Sequence, residues 1–277
     1  MSLFDLEGKV AIVTGATKGI GRGIVERMAE HGARLVVSSR DQTACDAVAA
    51  ELNDAYADDA EIACGIACDI DSLEQIENLA TAAAERWGGI DILVANAAIL
   101  PFMGPSADTP PELFNRILTS NQHHNFRLCH AVRHSMVGRG GGRIVLIGSA
   151  SGHSPSPNVM AYAVAKAGLA HLASCLADEL APERITVYCG APGLIRSFSS
   201  KPLWEDESVL STVTAGIPLG RIGEPDDIAG AVIFLCSDAG SYVSGATIPM
   251  DGGRTALSPA TQVRSATDET MAGSTFN

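Results

Sequence analysis

Short apolar runs alternate with helix-length amphipathic stretches along most of this chain. Lys9-Val-Ala-Ile-Val13 leads into a Gly-rich turn. An apolar run bounded by turn signals reads as a strand buried on both faces of a parallel sheet. A helical pattern follows, with Ile20, Ile24, Met28 and Ala29 on one face, and Gly32 ends it. The same reading places further strands at 33–38, 62–66, 90–95, 143–147, 185–189 and 246–250. Helices are expected at 41–54, 73–87, 110–137, 159–181 and 226–236, with 110–137 ended by Gly138 to Gly142. Seven strands alternating with helices predict an α/β fold: one doubly wound domain, a seven-stranded parallel sheet with helices on both faces. No linker divides residues 1–254, so they read as a single domain. Residues 255–277, rich in Ser, Thr and Ala with no apolar period, read as a C-terminal tail.

Composition narrows the function classes. The 277 residues carry 19 basic and 32 acidic side chains, a net charge of −13. That balance argues against a nucleic-acid or anionic-membrane partner, both of which need a positive face. With 46% hydrophobic and 18% charged residues, the chain has the means to fold. The seven cysteines lack C-x-x-C spacing, so they are expected to be reduced and mostly buried. No signal-peptide-like stretch opens the chain, and no window is read as approaching the ~18 apolar residues of a membrane span. The chain ends Thr-Phe-Asn, which is not a peroxisomal address. The expectation is a cytoplasmic protein. His130 and His134 are four apart on a predicted helix, but no carboxylate or cysteine there completes a ligand set. They read as a helix face or subunit contact, and no metal is expected.

Candidate chemistry gathers where strands end. Thr14-Gly-Ala-Thr-Lys-Gly-Ile-Gly21 joins the first strand to the first helix. Glycines at such a corner let the backbone approach a pyrophosphate seated on the helix N-terminus. Gly15, Thr17, Lys18, Gly19, Ile20 and Gly21 are therefore candidate cofactor contacts, although any strand–helix corner can use glycine. Asp69 and Ile70 after the third strand, and Asn96 and Ala97 after the fourth, fall at the same edge. Asp69 could equally cap the helix that begins near Ser72. A carboxylate closing the second strand suits the 2′-hydroxyl of NAD, and a cation there suits a 2′-phosphate. Ser39 and Arg40 close that strand, with Lys18 a second cation nearby, so NADP(H) is favoured and NAD is the alternative. Asp41 is the group that would favour NAD, and a merely solvated Arg40-Asp41 turn is the bland reading.

Tyr162 and Lys166 are four apart on a predicted helix and share a face. Ser149 follows the fifth strand, and Asn121 stands inside the predicted helix 110–137, where Asn is a poor interior former. A free phenol titrates near pH 10, and a neighbouring ammonium is expected to lower it towards useful acid–base chemistry. Tyr162 would exchange a proton with a substrate oxygen. Ser149 would orient the carbonyl, Lys166 would hold the nicotinamide ribose, and Asn121 would hold a water linking Lys166 to solvent.

Thr14 to Gly21, Asn96-Ala-Ala98, Asn121, Ser149, Tyr162-Ala-Val-Ala-Lys166, Ala191-Pro-Gly193 and Met250-Asp-Gly-Gly253 together resemble the short-chain dehydrogenase/reductase family over residues 5 to 254. The thirteen residues from Ser149 to Tyr162 fit that family's spacing. The resemblance implies a Rossmann-fold oxidoreductase, a homotetramer or homodimer, with its Asn-Ser-Tyr-Lys tetrad intact. It adds Pro192, Gly193, Ile195 and Ser197 as cofactor contacts. Ser197 replaces the usual threonine and keeps a hydroxyl for the nicotinamide amide. Ala98 replaces the usual glycine after the fourth strand, and Tyr188 the usual asparagine in the sixth. Ser39-Arg40, Pro101-Phe102 and Ala191 to Ile195 resemble the NADP-dependent carbonyl or retinal reductases of the family.

Residues 194–217 hold many apolar side chains, and the resemblance makes them a lid over substrate. Phe102, His153, Met160, Leu194, Phe198 and Trp204 are the candidate substrate contacts, suited to a hydrophobic ketone or secondary alcohol. A packed hairpin with no substrate contact is the alternative for the lid. For the whole chain, the leading expectation is hydride transfer between NADP(H) and such a small-molecule substrate. An NAD-dependent alcohol dehydrogenase and a non-catalytic dinucleotide sensor are the alternatives.

Overall fold

The computed structural model describes residues 2–58 and 60–256. In chain order the elements begin with β1 (Val10–Thr14), α1 (Gly19–Glu30), β2 (Arg34–Ser39), α2 (Gln42–Tyr56), β3 (Ala63–Ala67), α3 (Leu73–Trp87) and β4 (Ile92–Ala95). They continue with α4 (Pro111–Leu118), α5 (His124–Gly138), β5 (Gly142–Ile147), α6 (Met160–Leu180), β6 (Ile185–Pro192), α7 (Glu207–Ala215), α8 (Pro225–Cys236) and β7 (Thr247–Met250). The strands form one sheet in the order β3-β2-β1-β4-β5-β6-β7, every pair parallel. The fold is the doubly wound α/β domain expected from the alternation.

Each strand feeds two cores because successive side chains leave opposite faces. Ala11 and Val13 of β1, with Val145 and Ile147 of β5, join Ile24, Met28, Leu52 and Val232 from α1, α2 and α8. Ile12, Ile144 and Leu146 point the other way, to Leu79, Leu128, Val132 and Leu169 from α3, α5 and α6. Strand order reverses between β1 and β4, and the crevice beyond their carboxyl ends is the expected ligand position in such sheets. At the opposite end, Asp91 ties the sheet together. It is 7% exposed, accepts the Val10 N–H at 2.9 Å, and receives Arg139 Nε and Nη2 at 3.2 and 2.9 Å.

Three expectations need correction. The single helix 110–137 is α4 and α5 joined through a π-turn at Thr119–His123. The extra residue in that turn breaks the 3.6-residue register, which an apolar pattern alone does not reveal. The stretch Met160–Glu183 averages a hydropathy of 1.3, long and apolar enough by composition to cross a membrane. That breadth comes from a core helix: Leu169, Ala173 and Leu176 are buried against the sheet, and Ala165 is buried with Ile117 of α4. The domain also runs past residue 254, since the Thr255 N–H and Oγ1 both donate to Asp251, at 2.7 and 2.6 Å. The rest of the expected tail, 257–277, lies outside the described residues. Five of the seven cysteines are buried and all are free thiols.

Candidate active site

The turn after β1 is built to receive an anion. Gly15 and Gly19 take left-handed backbone conformations, φ 63° and 54°, which glycine adopts at no steric cost. A Cβ on Gly21 would lie 2.2 Å from the Gly15 carbonyl oxygen, so only glycine lets α1 start this close to the turn. Asn96 locks the opposite wall. Its side-chain amide donates to the carbonyls of Thr14 and Gly15, at 2.9 and 3.1 Å, and the N–H groups of Asn96 and Ala97 both donate to Thr14 Oγ1 at 3.0 Å. Asp41, Ser72 and Asp206 close the N-termini of α2, α3 and α7 with side-chain oxygens. At α1 the N-cap is Lys18, with no side-chain bond, and no acidic residue follows in the first turn. The first N–H groups of α1 are left without a side-chain acceptor, at the positive end of the helix dipole, which suits a pyrophosphate.

The second strand ends at Ser39 and is followed by Arg40 and Asp41. Arg40 is exposed. Asp41 spends its carboxylate on the Ala44 N–H at 3.2 Å, as the cap of α2. The Ser39 hydroxyl lies 3.2 Å from Cys45 Sγ, and the Ser39 N–H donates to the same sulfur at 3.1 Å. Asp69 is not the cap of α3, a role Ser72 takes; it accepts the Asp71 N–H at 3.1 Å and closes the turn beside half-buried Ile70.

Ser149, Tyr162 and Lys166 meet beyond the end of β5. Ser149 precedes a short turn and accepts the Ser151 N–H at 3.1 Å. Tyr162 and Lys166 occupy the first two turns of α6. The Lys166 ammonium is 2% exposed, donates to the Ile147 carbonyl at 2.7 Å, and lies 5.5 Å from the centre of the Tyr162 ring. Burial lowers the Lys166 pKa to about 8, with Cys189 opposing. Burial raises the Tyr162 phenol, and the neighbouring Ser149 hydroxyl only partly offsets it. The expectation that the ammonium makes this phenol acidic is therefore not met. The ammonium lies over the ring face and is itself desolvated, so the burial penalty on phenolate prevails.

Asn121 sits in the π-turn, fully buried, and its side chain is wholly engaged. It accepts the Ile99 N–H at 2.9 Å and donates to the Ile99 carbonyl at 2.8 Å, which fastens the turn to the loop after β4. Its main-chain carbonyl receives the Asn125 side-chain amide at 2.9 Å. Any water held here would meet that carbonyl, not the side chain. Reading the sequence alone missed Asn125, because nothing but helical spacing connects it to Asn121.

The segment 194–217, expected as a lid, follows Pro192 at the end of β6. Gly193 donates to the Met250 carbonyl at 2.9 Å, and buried Ile195 bridges Gly223. Ser197 comes to the glycine turn, where a Cβ on Gly19 would stand 3.1 Å from Ser197 Cβ. Phe198, 75% exposed, lies over the Lys18 ammonium at 5.5 Å from the ring centre. Trp204 works inside the lid: its indole N–H is shared between the Ser197 carbonyl and Ser200 Oγ, at 3.2 and 3.1 Å, and Arg196 covers its ring. Leu194 lines a cavity of about 290 Å³ with Ile217, Leu219 and Met250. Half-buried Phe102 packs on Gly104, whose N–H donates to the Asn158 carbonyl at 2.8 Å, so the loop after β4 is stitched to the loop that precedes α6. Met160 and His153 are exposed in that second loop's neighbourhood.

Comparison with known proteins fits this geometry. A family model described as enoyl-(acyl carrier protein) reductase matches residues 15–255. Dehydrogenase/reductase SDR family member 4 of Bos taurus is 41% identical over 248 residues, covering 90% of this chain and 88% of the relative. A short-chain type dehydrogenase/reductase from Mycobacterium marinum superposes with a TM-score of 0.84 at 36% identity, covering 92% of this chain and 98% of that one. The RhlG protein of Pseudomonas aeruginosa, solved as an active-site complex with NADP, gives 0.84 at 34% identity, with 92% and 100% covered. With the tetrad side chains in place and the matches spanning nearly the whole domain, the chain belongs to the short-chain dehydrogenase/reductase family of oxidoreductases.

Proposed function

We propose that this protein interconverts a hydrophobic ketone and its secondary alcohol with NADP(H). The observation that carries the reading is the convergence of Ser149, Tyr162 and Lys166 beside an uncapped, glycine-lined helix N-terminus. A bound reduced dinucleotide supplies the hydride to the carbonyl carbon. Tyr162, kept protonated by burial, gives its hydroxyl proton to the carbonyl oxygen. Ser149 holds that oxygen, and Lys166 refills the phenol from the solvent side past Asn121.

NADP(H) is preferred to NAD(H) because Asp41 is occupied as a helix cap while Arg40 and Lys18 stay exposed near the ribose position. A guanidinium there suits a 2′-phosphate. The substrate is expected to be apolar because Leu100, Met103, Met160, Phe198 and Leu203, from the segments around the site, remain exposed. Assembly as a homodimer or homotetramer belongs to the same proposal, and sedimentation velocity tests it. The cofactor test is a fluorescence titration with both dinucleotides on wild type and Arg40→Asp. The substitution should weaken NADPH by about tenfold or more and shift preference to NADH. Unchanged NADPH affinity would overturn the assignment. A panel of ketones assayed with each cofactor then tests the substrate class.

A further inference from the structure

Asn121 is fixed from a second direction. Ser120, the residue before it, is 1% exposed, and its hydroxyl donates to the Asp71 carboxylate. Asp71 also receives Arg116 Nε and Nη2, at 3.1 and 2.9 Å. Arg116 lies in the last turn of α4, so one carboxylate grips the chain just where α geometry gives way to the π-turn. Burial raises the Asp71 carboxyl, but the bonds from Ser120 and Arg116 outweigh it and hold the group below its ordinary value, so it is charged at neutral pH.

The other end of Asp71 is the cofactor side. Its N–H donates to Asp69, in the loop after β3 that carries Asp69 and Ile70, two of the candidate cofactor contacts. Arg116 is 55% exposed, and an exposed ion pair contributes little. The buried Ser120 hydroxyl is the more consequential partner. A π-turn holds one residue more than the α-helix around it, and relaxing it by one residue rotates what it carries by about 100°. Such a turn persists only where its surroundings hold it. Asn121 holds the turn through Ile99, and Ser120 holds it from the Asp71 side.

We propose that Asp71 is a positioning residue that, through Ser120, couples the loop after β3, with the candidate cofactor contacts Asp69 and Ile70, to the π-turn carrying Asn121. Seating the dinucleotide against that loop and aligning the proton path past Asn121 then become one event. This rests on the reading under Proposed function.

The test uses the full chain with NADPH and a ketone that the wild type reduces, comparing Ser120→Ala, Ser120→Thr, Asp71→Asn and the Ala/Asn double variant. Ser120→Ala should lower kcat about tenfold and raise the solvent deuterium isotope effect on kcat. The ketone KM should stay within about twofold, since the loss lies in proton delivery and not in binding. Ser120→Thr keeps the hydroxyl and should recover most of kcat. Asp71→Asn, in a partly exposed loop that tolerates change, should repeat the loss, and the double variant should be no worse than either single one. Singles within about twofold of wild type in kcat with an unchanged isotope effect, or single losses that multiply in the double variant, overturn the coupling. Wild-type turnover that survives Tyr162→Phe would instead overturn the underlying reading.

Discussion

Tyr162 and Lys166 share one face of α6, yet burial moves them oppositely: the phenol rises and the ammonium falls to about 8. At neutral pH both carry their protons, which suits donation to a carbonyl oxygen. Reduction needs a protonated relay, so its rate should hold below pH 8 and fall as Lys166 deprotonates, while the phenol titrates too high to set this limb. Initial rates of ketone reduction between pH 6 and 10 should give an apparent pKa of about 8. A rate that stays level through pH 9.5 would contradict the assignment of the limb to Lys166. The identities of these two residues were legible in the sequence from their spacing and from Ser149. Their ionisation was not, because it depends on how much of each group the fold desolvates. Trp204 shows the same limit. It reads as a pocket wall by hydrophobicity, yet its indole N–H is used to brace Ser197 and Ser200.

At the scale of elements, strands were the most legible part, because a run such as Val10–Val13 has few other solutions. The long helix was legible in extent but not in geometry. The π-turn at Thr119–His123 is imposed by tertiary ties to Ile99 and Asp71, which no local pattern encodes. The end of β2 can be read two ways from the sequence, and the fold adds that Asp41 caps α2. If Asp41 serves α2 alone, Asp41→Ala should cost about 1 kcal/mol in urea unfolding and leave the preference between NADPH and NADH unchanged. A swing towards NADPH would mean that Asp41 had been opposing the phosphate. At α1 the constraint is steric. Gly21→Ala must push Gly15 or Asn96 aside, since the new methyl would stand 2.2 Å from the Gly15 oxygen. It should weaken dinucleotide binding and destabilise the fold by about 1–3 kcal/mol. Wild-type affinity in that variant would show that the turn does not hold the cofactor.

Across the whole molecule, the site lies at one edge of the sheet and its main polar anchor at the other. Asp91 joins the starts of β1 and β4 to the C-terminal end of α5 through Val10 and Arg139. Removing it leaves the Val10 N–H and a guanidinium without their acceptor. Asp91→Ala should lower stability by about 3 kcal/mol, seen as a lower urea midpoint at constant m-value. An unchanged midpoint would show that the anchor is replaceable. The doubly wound arrangement follows from the strand–helix alternation, and with it the crevice beyond the carboxyl ends of β1 and β4, where the strand order reverses. In the proposed function, one phenol that burial keeps protonated gives that crevice its chemistry. The most direct test of the account is Tyr162→Phe, with NADPH binding read by fluorescence and ketone reduction read by loss of NADPH absorbance. Binding should stay within about twofold of wild type while turnover falls by about a thousandfold or more. Turnover within about tenfold of wild type would contradict the role given to this phenol.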